Sequence, residues 1–224
     1  MSKTVLVFGS SRGIGYELTK QFVAEGYQVH GFSRTQQETH PDINLHLHTL
    51  DLSSTSLKSD VEELLSTLTT IDYVVYNAGN IVVKPFLELT KEDIASCYQV
   101  NVIAAMEVLQ VCLPKMKKTG HVVMISSMGG FQGSMKFAGL SAYSPSKAAL
   151  CSLTELLAEE FKETGISINC LCLGAVQTEM LEEAFPGYQA PHSANEMASF
   201  IKDFTIHQGA YFKGKILPVS ISTP

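Results

Sequence analysis

The chain has 224 residues, 45% of them apolar and 17% charged, the balance of one compact domain with a large core rather than of a disordered or fibrous chain. Sixteen Lys and Arg against 22 Asp and Glu leave a formal charge of −6 with no dense basic run, which argues against a nucleic-acid partner. No apolar run approaches the ~20 residues of a membrane-spanning helix. Lys3 is followed by only Val5 to Phe8 before Gly9 and Ser10, so no signal peptide is expected and a cytoplasmic location is.

β-Branched runs alternate with helical patterns. They fall at Val5 to Phe8, Val29 to Phe32, Leu45 to Leu50, Tyr73 to Tyr76, Val122 to Ile125, Ile166 to Leu173 and Ile216 to Val219. Seven strands separated by helices predict an α/β fold, a doubly wound and mostly parallel sheet with helices on both faces, in one domain over residues 1–224.

Directly after the first run comes Gly9-Ser10-Ser11-Arg12-Gly13-Ile14-Gly15, leading into a helix whose stripe is Ile14, Leu18 and Phe22. Glycines there permit positive φ and close approach of a pyrophosphate to free N–H groups at a helix N-terminus, so dinucleotide binding is expected. The second run ends Gly31-Phe32-Ser33-Arg34. An NAD site usually carries a carboxylate at this point, for the ribose 2′-hydroxyl. Neutral Ser33, then Arg34, with Arg12 in the glycine turn, suit a 2′-phosphate and predict NADP(H).

His46 and His48 alternate on the third run with His40 near, and are read as a solvated strand face rather than a metal site. Leu57, Val61, Leu64, Leu65 and Leu68 form the next helical stripe. Thr90 with Asp93, and later Ser193 with Glu196, carry the capping-box signature. The segment from Asn101 to Leu113 is apolar on nearly all sides, which predicts a second covered face and a homodimer or homotetramer. Lys115, Lys117 and Lys118 are read as the cationic end of that helix.

Tyr143 and Lys147 stand four apart, on one side of a helix whose apolar stripe is predicted as Ala149, Leu153, Leu156, Leu157 and Phe161. A nearby ammonium would lower a phenol pKa that is ~10 in water and let Tyr143 exchange a proton near neutral pH. Ser127 would hold a substrate oxygen beside it, in preference to Ser126. Substrate loops are expected at about 128–140 and 179–195. Within the second, Glu182 to His192, with Pro186, Gly187 and Pro191, is expected to be a mobile loop. Cys97, Cys112, Cys151, Cys170 and Cys172 form no CxxC and are read as buried reduced thiols, with no metal site; Cys170 and Cys172 point the same way along one strand.

The motifs in their order resemble the short-chain dehydrogenase/reductase family. Gly9, Gly13 and Gly15 match its GxxxGxG, with Phe8 where the family usually has Thr. Asp51-Leu52 is similar to its adenine-holding pair, Asn77-Ala78-Gly79 to its NAG, and Asn101 to its helix asparagine. Ser127 resembles its serine, and Tyr143-Ser144-Pro145-Ser146-Lys147 its YxxxK. Gly174, Val176 and Thr178 resemble the segment that meets the nicotinamide carboxamide, with Leu173 in place of the usual proline and a less rigid loop expected.

The resemblance implies a Rossmann-type fold and a catalytic set of Asn101, Ser127, Tyr143 and Lys147, with Asn101 supporting a water that links Lys147 to solvent. It implies a cofactor site built from Gly9, Ser11, Arg12, Gly13, Ile14, Gly15, Ser33, Arg34, Asp51, Leu52, Asn77, Ala78 and Gly79, completed by Tyr143, Lys147, Gly174, Val176 and Thr178. The expected activity is NADP(H)-dependent hydride transfer to or from a small-molecule carbonyl or alcohol. A catalytically silent dinucleotide-binding regulator or scaffold is the second reading, opposed by the intact Ser127, Tyr143 and Lys147. A sugar epimerase or dehydratase would need more chain after Thr178 for a substrate domain.

Overall fold

The computed structural model describes residues 2–35 and 42–221, so His40 lies outside the described residues. The strands and helices, in chain order, are β1 (Thr4–Phe8), α1 (Gly13–Ala24), β2 (Gln28–Ser33), β3 (Leu45–Thr49), α2 (Leu57–Leu64), β4 (Ile71–Tyr76), α3 (Lys91–Tyr98), α4 (Ala104–Cys112), β5 (Met116–Ser127), α5 (Tyr143–Glu160), β6 (Ser167–Leu173), β7 (Val176–Gln177), α6 (Glu179–Ala184), β8 (His192–Ser193), α7 (Ala194–His207) and β9 (Ile216–Val219). Seven strands form one parallel sheet in the order β3-β2-β1-β4-β5-β6-β9, while β7 and β8 pair separately.

Strand alternation divides the core. Leu6 and Phe8 of β1 point to the face covered by α2, α4 and α5, and Val5 and Val7 to the face covered by α1 and α7. Both faces are therefore dry and the central strands read as continuous apolar runs. The strand order reverses between β1 and β4, which leaves a crevice at their carboxyl ends, where Gly9 and Asn77 follow.

Several local expectations change. The segment Lys91–Lys115 is one helical stretch of 25 residues that holds an 18-residue window with a mean hydropathy of 1.3, so among the described residues one helix is, by length and composition, apolar enough to cross a membrane. Its apolar content is explained by position, since Ala104, Ala105, Val108, Leu109 and Cys112 are buried against the sheet. Its outer side shows Ile103 and Met106, both over two-fifths exposed.

Of the three clustered lysines only Lys115 closes that stretch, and its ammonium donates to the carbonyls of Leu65 and Leu68 beyond α2. Lys117 and Lys118 belong to β5, and Lys117 pairs with Asp72 at 2.8 Å. The buried stripe of α5 is Ser146, Lys147, Leu150, Cys151 and Thr154, while Leu156 is 66% exposed. Leu153, Leu157 and Phe161 of the predicted stripe pack half-buried on the same core, so the inner face of α5 combines them with these polar side chains. The stretch 182–192 is not one loop: Glu182 and Glu183 lie in α6, and His192 begins β8. Both capping boxes are formed.

His46 is exposed, as read, while His48 is half-buried. His30 stacks against both rings, and Phe32 continues the stack onto His48. Elsewhere, His121 is enclosed, its Nδ1 3.0 Å from the Thr205 carbonyl and its Nε2 2.9 Å from Asn169 Nδ2. The first contact fixes Nδ1–H as donor, and Nε2 then accepts from the amide.

Burial pushes the His121 pKa down to about 4. The unfolded chain therefore takes up the proton first, and stability is lost as pH falls from about 6.5 towards 4, by about 3 kcal/mol for this group. Urea unfolding at pH 7 and pH 4.5 should show that loss, and His121→Gln should reduce it, leaving the part due to His30, whose pKa burial also pushes down to about 4. An equal drop in the variant would remove His121 as its source.

Candidate active site

The glycine turn leaves β1 with Gly9 at φ +85° and enters α1 through Gly13 at φ +54°. A Cβ on Gly15 would stand 1.9 Å from the Gly9 carbonyl oxygen, and one on Gly9 would stand 2.7 Å from the Ala78 Cα, so the turn tolerates side chains at neither place. Asn77 Nδ2 donates to the Gly9 carbonyl at 2.9 Å and locks this turn to the end of β4. The first turn of α1 has no side-chain cap and no acidic residue, so its N–H groups are not taken up by the chain's own carboxylates. These features fit a dinucleotide pyrophosphate. Ser11 and Ile14 are half-buried in the same turn.

At the end of β2, Ser33 is buried and donates to the Thr35 carbonyl at 2.8 Å, while Arg34 is exposed. Asp51 accepts from the N–H and hydroxyl of Ser53, which hold its carboxyl below the usual range, with help from the nearby Arg34. Leu52 packs on the core, and its carbonyl accepts from Gln99. Arg12 is turned elsewhere. Its guanidinium forks onto Glu183 of α6 at 2.5 and 3.2 Å, instead of standing free beside Arg34.

Ser127 ends β5 and Tyr143 begins α5, and the Ser127 hydroxyl accepts from Gly129 N–H at 3.1 Å. Ser126 is occupied, donating to the Lys147 carbonyl at 2.8 Å, which leaves Ser127 to face the site. Lys147 is buried. Its ammonium donates to the Ile125 carbonyl at 2.9 Å and lies 5.9 Å from the Tyr143 ring centroid.

The expected lowering of the Tyr143 pKa is absent. Burial pushes the phenol up to about 12, only partly opposed by Ser127, and pushes Lys147 down to about 8. Lys147 is directed at a carbonyl and not at the phenol oxygen, so desolvation outweighs its field.

Asn101 is buried in a π-helical turn, Gln99–Ile103, between α3 and α4. Its Oδ1 accepts from Asn80 N–H, and its Nδ2 donates to the Asn80 carbonyl and to Ser146 Oγ. Ser146 in turn donates to the Tyr143 carbonyl. Sequence reasoning missed Asn80 and Ser146. The only available signal was that Ser146 sits inside the Tyr143-to-Lys147 motif. Gly79 approaches closely, since a Cβ there would stand 3.3 Å from the Lys147 ammonium.

Leu173, in place of a proline, ends β6 paired on both sides, and Gly174 N–H donates to the Val219 carbonyl. Val176 lies in β7, and Thr178 caps α6 by accepting from Leu181 N–H. The Thr178 methyl would touch a Cβ on Gly13, which places this segment over the glycine turn. A cavity of about 700 Å³ lies beside it, lined in part by Glu17, Glu179, Glu182 and Glu183, and is separate from Tyr143. In the loop 128–140, the Lys136 ammonium donates to the carbonyls of Gly129 and Phe131 and to Ser134 Oγ. Met135 and Phe137 remain exposed there.

A parallel sheet with this switch point, a bare glycine cradle, and a serine, tyrosine and lysine at adjoining strand and helix ends define a dinucleotide-dependent type of α/β protein. The short chain dehydrogenase family profile matches residues 3–189, and the chain belongs to that family of oxidoreductases. Relatives include an uncharacterized oxidoreductase, YvrD, of Bacillus subtilis, 31% identical over 90% of this chain and 79% of its own. Another is an L-2,3-butanediol dehydrogenase of Corynebacterium glutamicum, 30% identical over 82% and 75%. Among solved structures, ElxO with NADP bound and a 4-hydroxyisoleucine dehydrogenase complexed with NADH each superpose with a TM-score of 0.85 over 98% of this chain and 97% of theirs. At 23% and 24% identity these two establish the shared fold.

Proposed function

We propose that this chain is an NADP(H)-dependent oxidoreductase that reduces a small-molecule carbonyl, or oxidises the matching alcohol. The observation that carries the reading is the placement of Ser127 at the end of β5 and Tyr143 at the start of α5, with the buried Lys147 one turn along the same helix. A nicotinamide cofactor in the glycine cradle supplies or accepts the hydride. Ser127 holds the substrate oxygen, and Tyr143, neutral with its pKa pushed up to about 12, delivers the proton to that oxygen in the reducing direction. Lys147 contacts the ribose and keeps a positive charge below its pKa of about 8. Asn101 braces the start of α5 through Ser146 and supports the water-linked path from Lys147 to solvent.

The cofactor lies over Gly9, Ser11, Gly13, Ile14 and Gly15, with the adenine near Asp51 and Leu52 and the carboxamide near Gly174, Val176 and Thr178. Arg34 reads the 2′-phosphate. Arg12 joins it by leaving Glu183, an exposed pair that costs little to break. The activity of the related L-2,3-butanediol dehydrogenase supports the substrate class. The protein works in the cytoplasm as a homodimer or homotetramer through the outer sides of α4 and α5, where Met106 and Leu156 are exposed. Oxidation of NADPH against ketones, aldehydes, quinones and acyl thioesters tests the function. Turnover of at least one class is expected, and none with any class would favour a silent binding protein. Light scattering tests the assembly, and a monomer at micromolar concentration would refute it.

A further inference from the structure

Behind the proposed active site, three thiols from two elements converge. Cys170 and Cys172 alternate on β6 toward α5, and Cys151 comes down from α5 one turn after Lys147. The Cys151 sulfur lies 3.5 Å from that of Cys172 and 3.9 Å from that of Cys170, and all three sulfurs lie within 4.8 Å of one another. Three sulfurs that share one ion at about 2.3 Å stand about 4 Å apart, so this spacing needs sub-ångström adjustment to become a coordination triangle. No histidine or carboxylate joins the group among the described residues, which leaves a purely soft donor set.

We propose that Cys151, Cys170 and Cys172 form a binding site for a soft monovalent cation, Cu(I). Three sulfurs suit it better than Zn²⁺, whose structural sites close with four ligands, and hard cations choose oxygen. Binding releases three protons: Cu⁺ and three thiols give a tris-thiolate centre carrying two negative charges, and copper keeps its oxidation state. The buried Lys147 ammonium, one helical turn before Cys151, offsets one of those charges. Cys170 and Cys172 are sealed, while Cys151 retains 8% of its surface and is the ligand the ion meets first. Because Ser126 contacts both the Cys151 sulfur and the Lys147 carbonyl, an ion here also grips the helix turn that presents the lysine.

The test is an anaerobic titration of the purified protein with Cu(I), delivered as its acetonitrile complex in competition with a chromogenic Cu(I) chelator, followed by X-ray absorption. One equivalent per chain, sulfur scatterers at about 2.3 Å and a thiolate-to-copper ultraviolet band are expected. Cys151→Ala and Cys172→Ser should each weaken binding by more than about 100-fold, beyond what changes outside the ligand set cost. Cys112→Ser, a buried cysteine outside the cluster, should bind as the parent does. The absorption spectrum of the parent decides the matter even where a variant fails to fold. No competition with the chelator, nitrogen or oxygen ligation, or full retention in folded Cys151→Ala would overturn the proposal.

Discussion

Tyr143→Phe is expected to lower kcat by ~10²- to 10⁴-fold, about 3 to 5 kcal/mol of transition-state stabilisation, with cofactor affinity nearly unchanged. The substitution deletes one oxygen, the donor that delivers the proton, and leaves the ring and the helix in place. Steady-state kinetics with the best carbonyl of the panel, beside a fluorescence titration with NADPH, separates the two effects. Activity within a few-fold of the parent would remove Tyr143 from the proton path. In the parent, Tyr143 stays protonated across the neutral range. Lys147 loses its charge as pH rises through about 8, so reduction should weaken on that alkaline side through the lysine.

Arg34→Ala should weaken NADPH binding by about 10- to 150-fold and leave NADH binding almost unaltered. A charge-assisted hydrogen bond contributes ~1.5 to 3 kcal/mol, which sets this range. Only NADPH carries the phosphate that the guanidinium would meet. Arg34 is exposed at the end of β2, near Asp51 and not hidden in the core, so truncation should not disturb the fold. Titrating both cofactors against both proteins measures the difference. Equal losses, or a parent that prefers NADH, would show that Arg34 does not read a phosphate.

The elements legible in the sequence were those with strong periodic or local signals. β1, β4 and β6 announce themselves as unbroken apolar runs because both faces of a parallel sheet are covered. The capping boxes at Thr90 and Ser193 are local hydrogen-bond patterns and formed as read. The glycine turn and the Tyr143–Lys147 pair could be picked out because their spacing is fixed by a strand end or a helix turn, whereas Asn77 and Ser127 were legible only through the resemblance to the family's motifs.

What needed the tertiary structure were quantities set by distant partners. The face that α5 buries takes in Lys147 and Thr154 beside Leu150, and leaves Leu156 outside, since the neighbouring strands decide which side is interior. Arg12 looked available from its place in the glycine turn, yet its partner Glu183 lies 171 positions away. The sign of the Tyr143 shift was misjudged because a four-residue spacing fixes the side of the helix but not where the ammonium points, and desolvation depends on everything packed around the phenol. Two cysteines on one strand suggested nothing more than buried thiols. The third sulfur came from another element, because only the packing of α5 on β6 brings Cys151 within reach.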